Sequence, residues 1–247
     1  MTPHMTCVTP PASPATKQMF SRILTSALFA GAAAGVLIAL LQLLFVQPVL
    51  LHAELYETGA LVHFGGTAVS AHPELPSFDA VRDGLSIVFT MLTYTGYALV
   101  MVALMSMAQN LGHSITARSG LLWGIAGFVT FHLAPGFSLA PEVPGVAAAD
   151  VVERQIWWSA TVAAAGVAMW LLAFGGNMVS YAIAAALLLL PHLVGAPEPD
   201  TFAGPVPTEI GALFAARAFG VGLAAWSLLG CFAGYFWNLE EISDATT

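Results

Sequence analysis

The chain has 247 residues, of which 58% are apolar and only 8% are Asp, Glu, Lys or Arg, and its mean hydropathy is +0.82. A soluble domain carries roughly 25% charged residues and needs a polar surface, so this composition excludes a water-soluble globule and points to lipid as the solvent. A net charge of −8 with six basic residues excludes nucleic acid as a partner, because phosphate binding needs clustered Lys and Arg.

Residues 1–18 read MTPHMTCVTPPASPATKQ. They are Pro/Thr-rich and aperiodic, and are expected to form a disordered extension before a membrane domain over 19–247. Met19 opens MFSRILTSALFAG, which reads as a natural start. Six apolar segments follow, at about 22–51, 84–108, 119–135, 155–174, 178–194 and 210–237. A spanning helix needs about 20 residues, so the third and fifth are short. All are rich in Ala, Leu and Gly, with no period-2 alternation of a membrane barrel. The expected fold is an all-α polytopic transmembrane helix bundle of about six segments. Fusing the fourth and fifth into one re-entrant unit would give five. Asn177 is expected to cap the very short turn between these two.

Lys17 and Arg22 precede the first helix and place the N-terminus in the cytoplasm of a bacterial-type inner membrane. Arg118 then falls inside, whereas Arg82 and Arg154 fall outside and count against this orientation. Gly31/Gly35, Gly120/Gly124 and Gly230/Gly234 are spaced four apart, which lets helix backbones approach in lipid and also permits a homo-oligomer.

On that topology five of seven histidines gather at the outer face: His52, His63, His72, His132 and His192. Glu54, Glu57, Glu142, Glu198, Asp200 and Glu209 join them. Imidazole and carboxylate suit borderline divalent ions, so His52, Glu54, His132, Glu142 and His192 are candidate metal ligands from separate helix ends. None of their local spacings is a recognised metal motif. Gln47 precedes Pro48, which either bends the first helix or frees carbonyls to line a path. Arg217, inside segment six, reads as a gate, as an anchor for a buried acid, or as a cation snorkelling to the surface. Cys7 and Cys231 form no CxxC and support neither a disulfide nor a thiolate site. There is no phosphate-cradling Gly-rich loop, no HExxH and no nucleophile triad, so no enzyme and no tightly bound cofactor are expected. Any energy for transport then comes from a gradient or another protein.

Four stretches carry a family resemblance: LLQLLFVQPVLLHAELYE, HLAPGFSLAPEVPGVAAADVVERQIWW, PHLVGAPEP, and VPTEIGALFAARAFGVGLAAWSLLGCFAGYFW. The most specific elements are PEVPG and the Arg154, Gln155, Trp157, Trp158 group. Over residues 19–237 the chain resembles the CbtA family of proposed cobalt transporter subunits. The resemblance implies Co²⁺ as substrate, a small single-helix CbtB-like partner with a histidine-rich end, and five membrane segments where six are counted here. It carries His52, Glu54, His132, Glu142, Arg154 and His192 as matching positions, with Arg154 joining Gln47 and Arg217 as transport or gating candidates. Two other readings stay open: a redox anchor with haem iron between His132 and His192, and a non-transporting scaffold that binds its partner through small-residue helix faces.

Overall fold

The computed structural model describes residues 14–65 and 69–246, with side chains over 18–65 and 69–240. Helix α1 (Pro14–Leu41) passes without a break into a π-helical turn, π1 (Gln42–Val46), and then α2 (Gln47–Glu57). α3 (Ala80–Asn110) follows. α4 (Ala117–Phe128), a second π turn π2 (Val129–Leu133) and α5 (Ala134–Ser138) again form one rod. α6 (Val151–Phe174), α7 (Met178–Val194) and α8 (Thr208–Thr246) complete the chain. Among the described residues there is no strand, as the apolar periodicity predicted.

The starts are written locally. Side chains of Asp79, Thr116, Asp150 and Asn177 accept hydrogen bonds from first-turn amides of α3, α4, α6 and α7, satisfying donors that no helix bond can reach. Pro14 opens α1, where its missing N–H costs nothing. Residues 14–18 are therefore helical rather than part of the expected disordered extension, and the rest of that stretch lies outside the described residues. Both π turns are followed at the same offset by a proline, Pro48 and Pro135. A proline withholds one donor from the ladder, and the wider turn absorbs the mismatch without ending the rod.

Five helical runs are long and apolar enough to cross a bilayer: Gln18–Glu57, Ala80–Asn110, Ala117–Ser138, Val151–Phe174 and Thr208–Glu240. α7 is shorter, at 17 residues. It nevertheless returns the chain along α6. The Trp157 indole, at the start of α6, donates to the carbonyl of Pro191 near the end of α7 (3.2 Å). At a rise of about 1.5 Å per residue α7 covers about 25 Å, close to a hydrocarbon core of about 30 Å. The ends agree. Arg22 near the start of α1 donates to the carbonyl of Trp237 near the end of α8 (2.9 Å) and stacks on its ring. Both ends of the bundle domain thus meet, which requires an even number of passes. Six passes satisfy this and five do not.

α1 packs between α3 and α8, α4 crosses α8, and α6 pairs with α7. Ala27, Ala30 and Ala34 of α1 are fully buried with Ala98, Val102 and Met105 of α3 and Ala225, Trp226 and Leu229 of α8. The three glycine pairs all serve helix approach. A Cβ on Gly35 would sit 2.7 Å from the Cα of Met91, and one on Gly31 would collide with Thr95. Gly120 and Gly124 face Gly230 and Gly234 across α4 and α8, backbone against backbone. The outer flanks stay apolar: Phe29, Phe89, Leu122 and Leu190 are each more than half exposed, as lipid-facing positions should be.

Candidate functional site

The helix directions divide the polar groups between two ends. The upper end collects the last turns of α2, α5 and α7 and the first turns of α3, α6 and α8. The lower end holds Arg22, Trp237, Gln109 and the loop before α4, where His113 packs on Phe174 with ring centroids 4.9 Å apart. The predicted site residues lie toward the upper end, with His132 the deepest, against Gly222 and Trp226 midway along α8. His4 lies outside the described residues.

Their surroundings differ. His52 sits on α2 with its ring 5.6 Å from that of Tyr56. Its Nε2 is buried and has no hydrogen-bond partner. Glu54, two residues on, is exposed. His63, in the following loop, meets the other edge of Tyr56 (6.5 Å). His192 Nδ1 is 2.8 Å from Ser138 Oγ, and its ring is flanked by Phe137 and Trp157. A neutral histidine with Nδ1–H donating to that hydroxyl keeps a lone pair on Nε2.

His132 differs. It lies in π2, and its Nδ1 accepts from the indole N–H of Trp226 (3.0 Å). Its ring lies against Phe128 and Gly222. A neutral ring that accepts at Nδ1 carries its proton on Nε2, which leaves no free lone pair for a metal. Glu142 is also engaged. It pairs with Arg154 (2.7 Å), both side chains about 30% exposed. That bridge fastens the proline-rich 140–145 stretch to the first turn of α6. Val143 in the same stretch is buried against Val49, Tyr56, Val206 and Ile210, so the stretch forms an apolar cap over the upper end. Among the described residues, no three of His, Cys, Asp and Glu are arranged to hold a metal ion.

Of the transport candidates, Gln47 and Arg217 belong to a polar seam beside π1, whereas Arg154 pairs with Glu142. Gln47 Nε2 donates to Asp83 Oδ1 (2.6 Å). Arg217 donates to the carbonyl of Phe45 (3.0 Å), inside π1. Thr90 Oγ1 donates to Gln42 Oε1 (2.9 Å). Arg217 is thus an anchor, but to a backbone carbonyl rather than to a buried acid.

The sequence reading missed Asp83. It is 2% exposed and accepts from Gln47, from Nε and Nη2 of Arg82, and from the Asp79 amide. The available signal was an Arg-Asp pair in the first turn of a capped apolar helix, where an acid also opposes the helix dipole. Arg82 and Arg154 are both ion-paired at this end. The orientation rule counts Lys and Arg whatever acids accompany them, so both still count against the predicted orientation.

A family model described as "Probable cobalt transporter subunit (CbtA)" matches residues 20–238. No curated protein and no solved structure matches the chain. The match spans every membrane helix and both polar ends, and the chain belongs to the CbtA family of probable cobalt transporter subunits.

Proposed function

We propose that the chain is the membrane-spanning subunit of a cobalt, or more broadly divalent-metal, uptake system of a bacterial inner membrane. Its upper end faces outward and its N-terminus is cytoplasmic. The observation that carries this is the sorting of side chains. His52, His63, His132 and His192, with Glu54 and Glu142, lie at one end of the bundle, and Arg22 and Arg118 at the other. Imidazole and carboxylate take Co²⁺.

His52 and His192 are the first ligands in this reading, because each has an Nε2 that can face a cation. Glu54 adds charge beside His52. His132 and Glu142 join only when Trp226 and Arg154 release them, which makes these contacts part of the gate along with Gln47 and Arg217. A small single-helix CbtB-like subunit supplies further histidines. The haem alternative fares worse, since iron between His132 and His192 needs a free lone pair on His132, whose Nδ1 is occupied by the Trp226 indole and whose Nε2 holds the proton.

Uptake of radioactive cobalt by cells expressing the full system tests the site. His52→Ala and His192→Ala are each expected to lower the initial rate at least about tenfold, since losing even a hydrogen-bond partner of a metal ligand costs about 10–100-fold. Wild-type rates at wild-type membrane abundance would remove both from the site.

A further inference from the structure

The α6–α7 hairpin is fastened to the bundle chiefly at its upper end, through π2 and α5. Below that, α3 and α6 make no extended contact. A partly open cleft of about 820 Å³ lies between them, with α4 and Trp226 as its floor. Its walls are apolar and aromatic, including Tyr97, Leu104, Trp123, Phe131, Trp170 and Phe174. It adjoins at the lower end a polar pocket of about 380 Å³, with His113, Ser114 and Ile115 lining both. Gln109, Thr116 and Asn238 complete that polar mouth.

Three features define the occupant. The first is length. On α3 the cleft runs from Tyr97 to Ala108 and on α6 from Val162 to Phe174, about 17 Å of helix axis at about 1.5 Å per residue. That is about half of a hydrocarbon core of about 30 Å, too short for a spanning partner helix and matched to one leaflet. The second is polarity. An apolar cleft gives water no hydrogen-bond partners, and one that is partly open within a bilayer suits hydrocarbon. The third is charge. Among the described residues no Asp or Glu lines either compartment. Arg118 stands in the first turn of α4, two residues past Thr116. Arg22 stacks at 4.0 Å on Trp237, whose indole donates to Gln109. Glu240 is two residues beyond Asn238, about 200° round α8 at about 100° per residue, and so on another face.

We propose that this cleft binds one anionic phospholipid of the leaflet at the lower end. Its acyl chains lie between α3, α4 and α6, and its phosphate lies on the 112–116 loop beside His113 and Arg118. Basic pockets between membrane helices recognise anionic headgroups in this way.

The test uses the full chain in phosphatidylcholine nanodiscs doped with brominated-acyl phosphatidylglycerol or brominated-acyl phosphatidylcholine. Tryptophan quenching is the readout, because Trp123, Trp170 and Trp226 line the cleft. The phosphatidylglycerol probe is expected to quench wild type saturably, at several-fold lower mole fraction than the phosphatidylcholine probe. Gly166→Leu should abolish the saturable component, since a Cβ at Gly166 meets only Thr130 Cγ2 at 3.7 Å and the side chain can enter the cleft. The double variant His113→Gln, Arg118→Gln, which leaves the packed helices alone, should keep the quenching and lose the headgroup preference. It decides the matter by itself if Gly166→Leu does not fold. Equal quenching of wild type by the two probes would overturn the proposal. So would an unchanged preference in the double variant, or a photocrosslink from position 167 to a polypeptide in native membranes.

Discussion

At the scale of single residues, the polar groups of this chain are committed to partners. Asp83 is the clearest case, a buried carboxylate with four donors from three residues. Asp83→Asn keeps the size but turns one acceptor into a donor that faces donors. It is expected to cost about 1–3 kcal/mol, the range for an unsatisfied buried group. Thermal unfolding of the purified protein in detergent measures this, and a loss under about 0.5 kcal/mol, as at ordinary surface sites, would show the seam to be incidental. Trp226, a core side chain 2% exposed, also decides through its indole which nitrogen of His132 holds the proton.

At the scale of helices, the α4–α8 crossing depends on missing side chains. A Cβ on Gly230 would meet the backbone of Gly120 and Gly124, which has nowhere to move. Gly230→Leu should therefore separate the two helices, at more than the 1–3 kcal/mol typical of overpacking. Size-exclusion profiles of the solubilised protein should show loss of the monodisperse species. Gly84→Ala is the matched control, since nothing lies within 4 Å of its Cβ, and it should be neutral or slightly stabilising. A monodisperse Gly230→Leu would show that the crossing can open without cost.

For the whole molecule, parity is the testable property. Arg22 meets Trp237 at the lower end, so the beginning of α1 and the end of α8 share one side of the membrane. Reporter tags appended to the two termini should respond identically to a membrane-impermeant label in intact cells. Opposite responses would eliminate the six-pass arrangement and, with it, the grouping of histidines at one face.

What was legible in the sequence follows from interactions that are short along the chain. Hydropathy over about 20 residues identified lipid as the solvent and located the helices, and cap residues such as Asp79 and Thr116 marked their starts. The alternation of passes then sorted histidines and acids to one end. The glycine spacing signalled close helix contacts without naming the partner helices. The tertiary structure decided what each polar group touches. His132 meets Trp226 across 94 positions and Arg217 meets Phe45 across 172. Such pairs depend on which helices pack together and in what register, and periodicity within one segment carries no record of that. For the same reason the five candidate ligands look alike as a list, yet only the fold separates the unpartnered Nε2 of His52 from the occupied Nδ1 of His132.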